Sequence, residues 1–145
     1  MAIATFPYVA VPLPADEARL HGFIAQRPLA FATVTASNGQ SARFIVMPDS
    51  GADACLFPLS LALLLKLDVL KLPKSLTGGV GGNANTTYYD TIEIDLGNGI
   101  AFSAYAGFTQ GMDQMGLGLL GQDGFFEHYR VEFLLSRKVF TIESV

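Results

Sequence analysis

The chain has 145 residues, half of them hydrophobic and 15% charged, with one cysteine, two histidines and a net charge of −4. That length suits one domain with a real core, and the acidic balance lacks the basic footprint of a binder of nucleic acid or anionic membrane. The lone Cys55 excludes an internal disulfide framework, and the scattered histidines give no metal-ligand spacing.

A mean hydropathy of +0.38 is high for a soluble chain of this size, and a subunit interface would absorb the excess apolar surface. The N-terminal stretch MAIATFPYVAVPLPADEAR has neither a positive n-region nor a long apolar core. LSLALLLKLDVL is broken by Lys66 and Asp68 and is too short to span a bilayer. A soluble, cytoplasmic protein is expected, with no membrane and no nucleic-acid partner.

In chain order, the first residues are the hardest to assign: a strand is expected at 8–11 and a helical turn near 15–21. Residues 29–36 and 41–46 read as two strands around SNGQ, where Asn38-Gly39 signals a hairpin because both residues tolerate positive φ. Residues 58–67 read as a short helix with Leu59, Leu63 and Leu67 on one face. Ile92, Ile94 and Leu96 alternate with Glu93 and Asp95, so that strand has one wet face. Asn98-Gly99 turns the chain into a strand at 100–106. After 117–120 a short helix is expected over 122–129. A last hairpin pairs 130–135 with 139–143 across Ser136-Arg137-Lys138. The fold class is mainly β: a closed or nearly closed barrel with one or two short helices.

Two stretches carry chemistry. In FIVMPDSGADACLFP an apolar strand ends on Asp49, followed by Ser50, Gly51 and Ala52. A carboxylate at the end of a stiff strand is held firmly, and Gly51 lets the backbone turn its N–H towards that carboxylate. Amide hydrolysis by carboxylates needs two of them around one water, one ionised as base and one protonated as acid. Only one Asp-Ser-Gly-Ala occurs here, so a second Asp49 would have to come from a second chain, as a two-fold dimer provides. The alternative is structural: Asp before Ser-Gly is a common Asx-turn or cap. The second stretch, Gly78-Gly79-Val80-Gly81-Gly82, cannot be a stable strand interior and suits a hairpin tip whose backbone approaches something closely, or an ordinary turn.

In this order the segments resemble the retropepsins, the retroviral-type aspartic proteases, and their single-lobed cellular and bacterial relatives. The blocks are Gln26-Arg27-Pro28-Leu29, Asp49-Ser50-Gly51-Ala52-Asp53, Pro73-Lys74 through the glycine cluster to Tyr89-Asp90, and Leu119-Leu120-Gly121-Gln122-Asp123. The match runs over roughly 26–143. It implies a protease domain at 26–145 and an N-terminal extension at 1–25 that is part of the domain or packed on it. It also implies a homodimeric retropepsin-like acid-protease barrel that cuts a peptide or protein substrate without metal or other cofactor.

The resemblance further implies roles. Asp49 of each chain holds and activates the lytic water. Ser50 bonds across the two-fold axis, and Gly51 lets the substrate backbone come close. Ala52, Leu56, Leu76, Leu117 and Leu119 line apolar subsites, and Asp53 binds the substrate main chain. Gly79 and Val80 form the tip of the flap. Arg27, Gln122 and Asp123 support the dimer. Two positions depart from the pattern. Gln122 stands where arginine is usual and brings no charge to Asp53, which leaves Arg27 of the partner chain as its cation. Pro48 replaces an aliphatic residue and removes one N–H. Cys55 is expected to pack as a small hydrophobe beside the loop. Against the protease stand two other readings: a peptide-binding or dimerisation module without catalysis on the same fold, and a small-ligand barrel in which Asp49 only closes a turn.

Overall fold

A computed structural model describes residues 3–78 and 84–145. The strands are β1 (Ile3–Pro7), β2 (Val9–Leu13), β3 (Phe23–Arg27), β4 (Ala30–Thr35), β5 (Ser41–Pro48) and β6 (Leu56–Pro58), followed by helix α1 (Leu59–Leu64). Then come β7 (Lys74–Gly78), β8 (Ala84–Gly97), β9 (Ile100–Thr109), β10 (Gly118–Leu120), β11 (Tyr129–Leu134) and β12 (Val139–Ser144).

Six strands, in the order β4-β5-β10-β6-β9-β8, close on themselves because β8 also pairs with β4 through Thr33↔Asp95 and Val34↔Ile94. β7 hangs on the outer edge of β8. The closed wall leaves one interior, filled by Ala32, Val34, Val46, Phe57, Ile92, Ile94, Ile100, Ala106, Phe108 and Leu120, all essentially without solvent contact. Alternation builds it. Ile92, Ile94 and Leu96 point in while Glu93 and Asp95 point out, as the period-2 pattern requires.

The turns show local chemistry at work. Asn98 (φ 54°) and Gly99 (φ 83°) make the expected two-residue β8–β9 turn with positive φ at both positions. The β4–β5 turn differs, because only Gly39 (φ 84°) takes positive φ there. Gly39 N–H donates to Ala36 O and Ala36 N–H to Gln40 O, a three-residue loop. The Asn38 side chain is used elsewhere: its Nδ2 donates to Leu65 O at 2.9 Å and to Lys66 O at 3.3 Å, capping the carbonyl end of α1.

Four expectations need correction. The helix at 58–67 is shorter, ending at Leu64 before Lys66 (φ 58°). Its buried residues are Leu61 and Ala62, followed by Leu65, whereas Leu63 is 60% exposed. The segment is apolar nearly all round, so periodicity could not choose a face. No α-helix forms over 122–129. The chain makes successive turns there, with the Phe126 and Glu127 amides bonding five residues back, because Gly124 (φ 96°) breaks helical phase. Near 15–21 there is likewise no helical turn but a loop closed by Asp16, whose Oδ1 accepts the Arg19 N–H at 2.7 Å. Finally, the N-terminal region contains an additional strand. β1 pairs antiparallel with β12, Phe6 opposite Phe140, and β12 with β11, in a separate three-stranded sheet. Ala4 and Phe6 join Phe140 and Ile142 in the main core. β2 and β3 pair only with each other, and β3 straddles residue 26.

Candidate active site

β5 and β6 are consecutive in sequence but not adjacent in space. β10 lies between them, parallel to β5 (Leu119↔Met47) and antiparallel to β6 (Leu119↔Leu56). The loop 49–55 therefore arches over the end of β10 and is bonded to it. Asp49 N–H donates to Leu120 O at 2.9 Å, Gln122 N–H to Ala52 O at 2.9 Å, and Asp123 N–H to Asp53 O at 2.9 Å. Gln122 adds a side-chain bond, Nε2 to Ser50 O at 2.8 Å.

The crossing is so close that Gly121 has no room for a side chain. A Cβ there would lie 2.2 Å from Ala54 O and 2.7 Å from Ala52 O. A second glycine, Gly118, lets the Phe57 ring lie over β10, where a Cβ would meet ring carbons at 2.4 Å.

The loop aims its groups. Asp49 is half-buried, and its Oδ1 accepts the Gly51 N–H at 2.9 Å. That bond fixes the carboxylate in an Asx-turn geometry. The turn reading and the catalytic reading therefore share one geometry. Ser50, Gly51 and Asp53 are exposed. Cys55, behind the loop, has no solvent contact; burial, the largest cause, pushes its thiol from the ordinary 9.0 up to about 11, so near neutrality it is a small uncharged group.

Ala52, Leu119 and Met112 are buried together, with Met47, Leu56 and Leu117 packed against them. Four of the five apolar residues expected at subsites, Ala52, Leu56, Leu117 and Leu119, thus meet in one cluster. Met47 and Met112 were not anticipated; Met47 was legible as the position two before Asp49 on its strand. Next to the cluster is a cleft of about 330 Å³, lined by Asp53, Ala54, Leu56, Asn85, Thr87, Tyr89, Thr109, Gly111 and Met112. Gly107 in β9 allows the close approach of its walls: a Cβ would meet Thr87 Cγ2 at 2.6 Å and Leu56 Cδ2 at 2.9 Å. Alternation along β8 explains why Asn85, Thr87 and Tyr89 line the cleft together.

Leu76 is not brought to this cleft. It lies opposite Thr86, is 74% exposed, and lines a separate groove of about 470 Å³ with Lys74, Ser75, Thr86 and Tyr88. Gly79 and Val80 lie outside the described residues. Arg27 ends β3, half-buried opposite Val9; among the described residues no ion pair joins it to Asp53 of the same chain. Asp123 is exposed, and its carbonyl accepts the Cys55 thiol at 3.7 Å. Among the described residues, no three His, Cys, Asp or Glu side chains group closely enough to hold a metal, and no helix is long and apolar enough to cross a membrane.

The closed barrel, with the loop 49–55 crossing over β10, has the fold of the retropepsin-like proteases. Among solved structures, that of a retropepsin-like aspartic protease from Rickettsia conorii matches with a TM-score of 0.51 over 92% of this chain and 98% of that one. The identity is 16%, so the likeness is one of fold. No protein-family model matches the sequence, and no curated protein does.

Proposed function

We propose that the protein is an aspartic endopeptidase, active as a homodimer in which each chain contributes one Asp49. The observation that carries this reading is the mounting of the Asp49-Ser50-Gly51 loop. A carboxylate at a strand end is held by the Gly51 amide, in a loop whose Ala52 joins an apolar cluster and whose Asp53 and Ala54 line an open cleft.

Two carboxyls about 3 Å apart repel by roughly 5 kcal/mol at an effective dielectric near 20 if both ionise. The pair therefore shares one proton, as in aspartic proteases as a class. The ionised Asp49 takes a proton from water, whose oxygen attacks the peptide carbon. The protonated Asp49 gives its proton to the carbonyl oxygen, forming a neutral gem-diol. That diol loses a hydroxyl proton to a carboxylate as the nitrogen gains one, the C–N bond breaks, and an acid and an amine leave.

Ser50 bonds across the axis, Gly51 admits the substrate backbone, and Asp53 holds its main chain. Ala52, Leu56, Leu117 and Leu119 receive apolar side chains on either side of the cut. Leu76, with Gly79 and Val80, belongs to the flap that covers an extended peptide. Arg27 of the partner chain, Gln122 and Asp123 brace the dimer. The protease domain proposed at 26–145 takes in 1–25 as part of its fold, since Ala4 and Phe6 lie in its core, and the protein works in the cytoplasm.

The test is Asp49→Asn, whose Oδ1 can still accept the Gly51 N–H. Cleavage of a peptide library near pH 5 should fall by about 10²-fold to 10⁴-fold, the range for removing a general acid–base group, with the unfolding transition retained. A folded Asp49→Asn protein that cuts at the parental rate ends the reading.

A further inference from the structure

The outer face of the β4–β5 hairpin carries a depression of about 280 Å³, lined by Phe31, Arg43, Phe44, Ile45 and Gly116. Phe31 lies opposite Ile45, and Thr33 opposite Arg43. By alternation, Phe31, Arg43 and Ile45 share the face turned away from the core, whose side is taken by Ala32, Val34 and Val46. Phe31 is 55% exposed, an aromatic ring placed where packing does not require it.

The apolar cluster beside the loop lies between this depression and the cleft, reaching the cleft through Leu56 and Met112. Met47, two residues along the same face from Ile45, packs on Ala52 and Leu119, and Gly116 directly precedes Leu117 of that same group. The rim is cationic. Among the described residues no ion pair involves Arg43. An acidic residue on that ladder, Asp95, lies two strands away through Thr33, roughly 10 Å in backbone spacing. Its Oδ1 already accepts the Gly97 N–H at 2.8 Å.

We propose that this depression is a distal subsite that selects a glutamate in the substrate. It rests on the protease reading and narrows it to a substrate class: peptides with an apolar residue at the cut and a glutamate two residues farther out. The register follows from strand geometry. Positions 45 and 47 are roughly 6.7 Å apart along β5, as are alternate residues of an extended peptide. A side chain seated on Ala52 and Leu119 beside Met47 therefore places its second neighbour at Ile45. The glutamate methylenes lie on Phe31 and Ile45, and the carboxylate meets the Arg43 guanidinium fork.

The test uses three peptides that differ only at that outer position, carrying Glu, Gln or Lys, with Leu at the cut. The parent protein should cleave the Glu peptide about threefold to fivefold more efficiently in kcat/KM than the Gln peptide, the size of a solvent-accessible ion pair, with Lys last. Arg43→Glu should reverse the order in favour of Lys, and Phe31→Ala should flatten it. The same three peptides, fluorescently labelled, are titrated against the Asp49→Asn protein, where no cleavage is needed. The same order of Kd is expected. Equal Kd values, or a parental order in Arg43→Glu, overturn the subsite whatever the cleavage shows. The Glu preference in binding without cleavage of any peptide by the parent upholds the subsite and overturns the protease reading.

Discussion

The loop at 49–55 and the β7–β8 hairpin face the same cleft but are built in opposite ways. The loop is stitched to the end of β10 and the residues just after it, 120–123, by three backbone bonds and one side-chain bond, over a crossing that excludes even a methyl group at Gly121. Apolar side chains lie beside it and a fully buried thiol behind it. β7 has a single neighbouring strand, and its residues Lys74, Ser75 and Leu76 are exposed. Little apolar surface holds it down, so local opening should come at lower free energy there than in the floor. On the proposed protease reading, the loop is the part that aims a reacting group and the hairpin the part that lets a polymer enter.

Three measurements break or sharpen that contrast. The largest effect is expected from Gly121→Ala. Backbone oxygens at 2.2 Å and 2.7 Å cannot yield as a side-chain end can, so urea unfolding should show a loss of about 3 kcal/mol or more. A loss below about 0.5 kcal/mol would mean the crossing is loose, and the contrast would fail.

Next is the pH dependence carried by Cys55. Below pH 9 the folded and unfolded chains both keep the thiol protonated, and it adds no slope. Between 9 and about 11 the unfolded chain binds fewer protons than the folded one, so stability falls as pH rises. The decline should reach about 2 kcal/mol and be absent in Cys55→Ala, measured as the difference between the two proteins' urea midpoints from pH 8 to 11. Equal slopes would mean the thiol is not desolvated.

The smallest effect is expected from Leu76→Ser in β7. With 74% of the residue exposed, thermal unfolding should change by less than about 0.5 kcal/mol. A larger loss would show that the groove it lines is covered in solution.

The features that could be read from the sequence are those fixed by near neighbours. Asn98-Gly99, the alternation from Ile92 to Leu96 and the β11–β12 hairpin each follow from a few adjacent residues. Turn geometry and period-2 burial are local physics. That Ala52, Leu56, Leu117 and Leu119 would lie close together was legible too, since they flank the two motifs. What escaped depends on distant partners. β1 exists because β12 offers it an edge, and no periodicity at 3–7 announces that. Met112 joins that cluster from a short 3-10 turn, without a motif of its own. Leu76 looked like a cleft wall from its place before the glycines, but strand alternation sends it to the other groove. The helix expected over 122–129 failed at Gly124, whose positive φ interrupts an otherwise helix-compatible string.

The pairing of β1 with β12 has a consequence for biosynthesis. Ile3 lies opposite Glu143, and the Phe6 ring stacks on Phe140 at 5.3 Å. A ribosome emits the first of these partners long before the second. Throughout that interval Ala4 and Phe6 lack their final apolar neighbours, so the nascent chain leaves them without those partners until 139–144 have emerged.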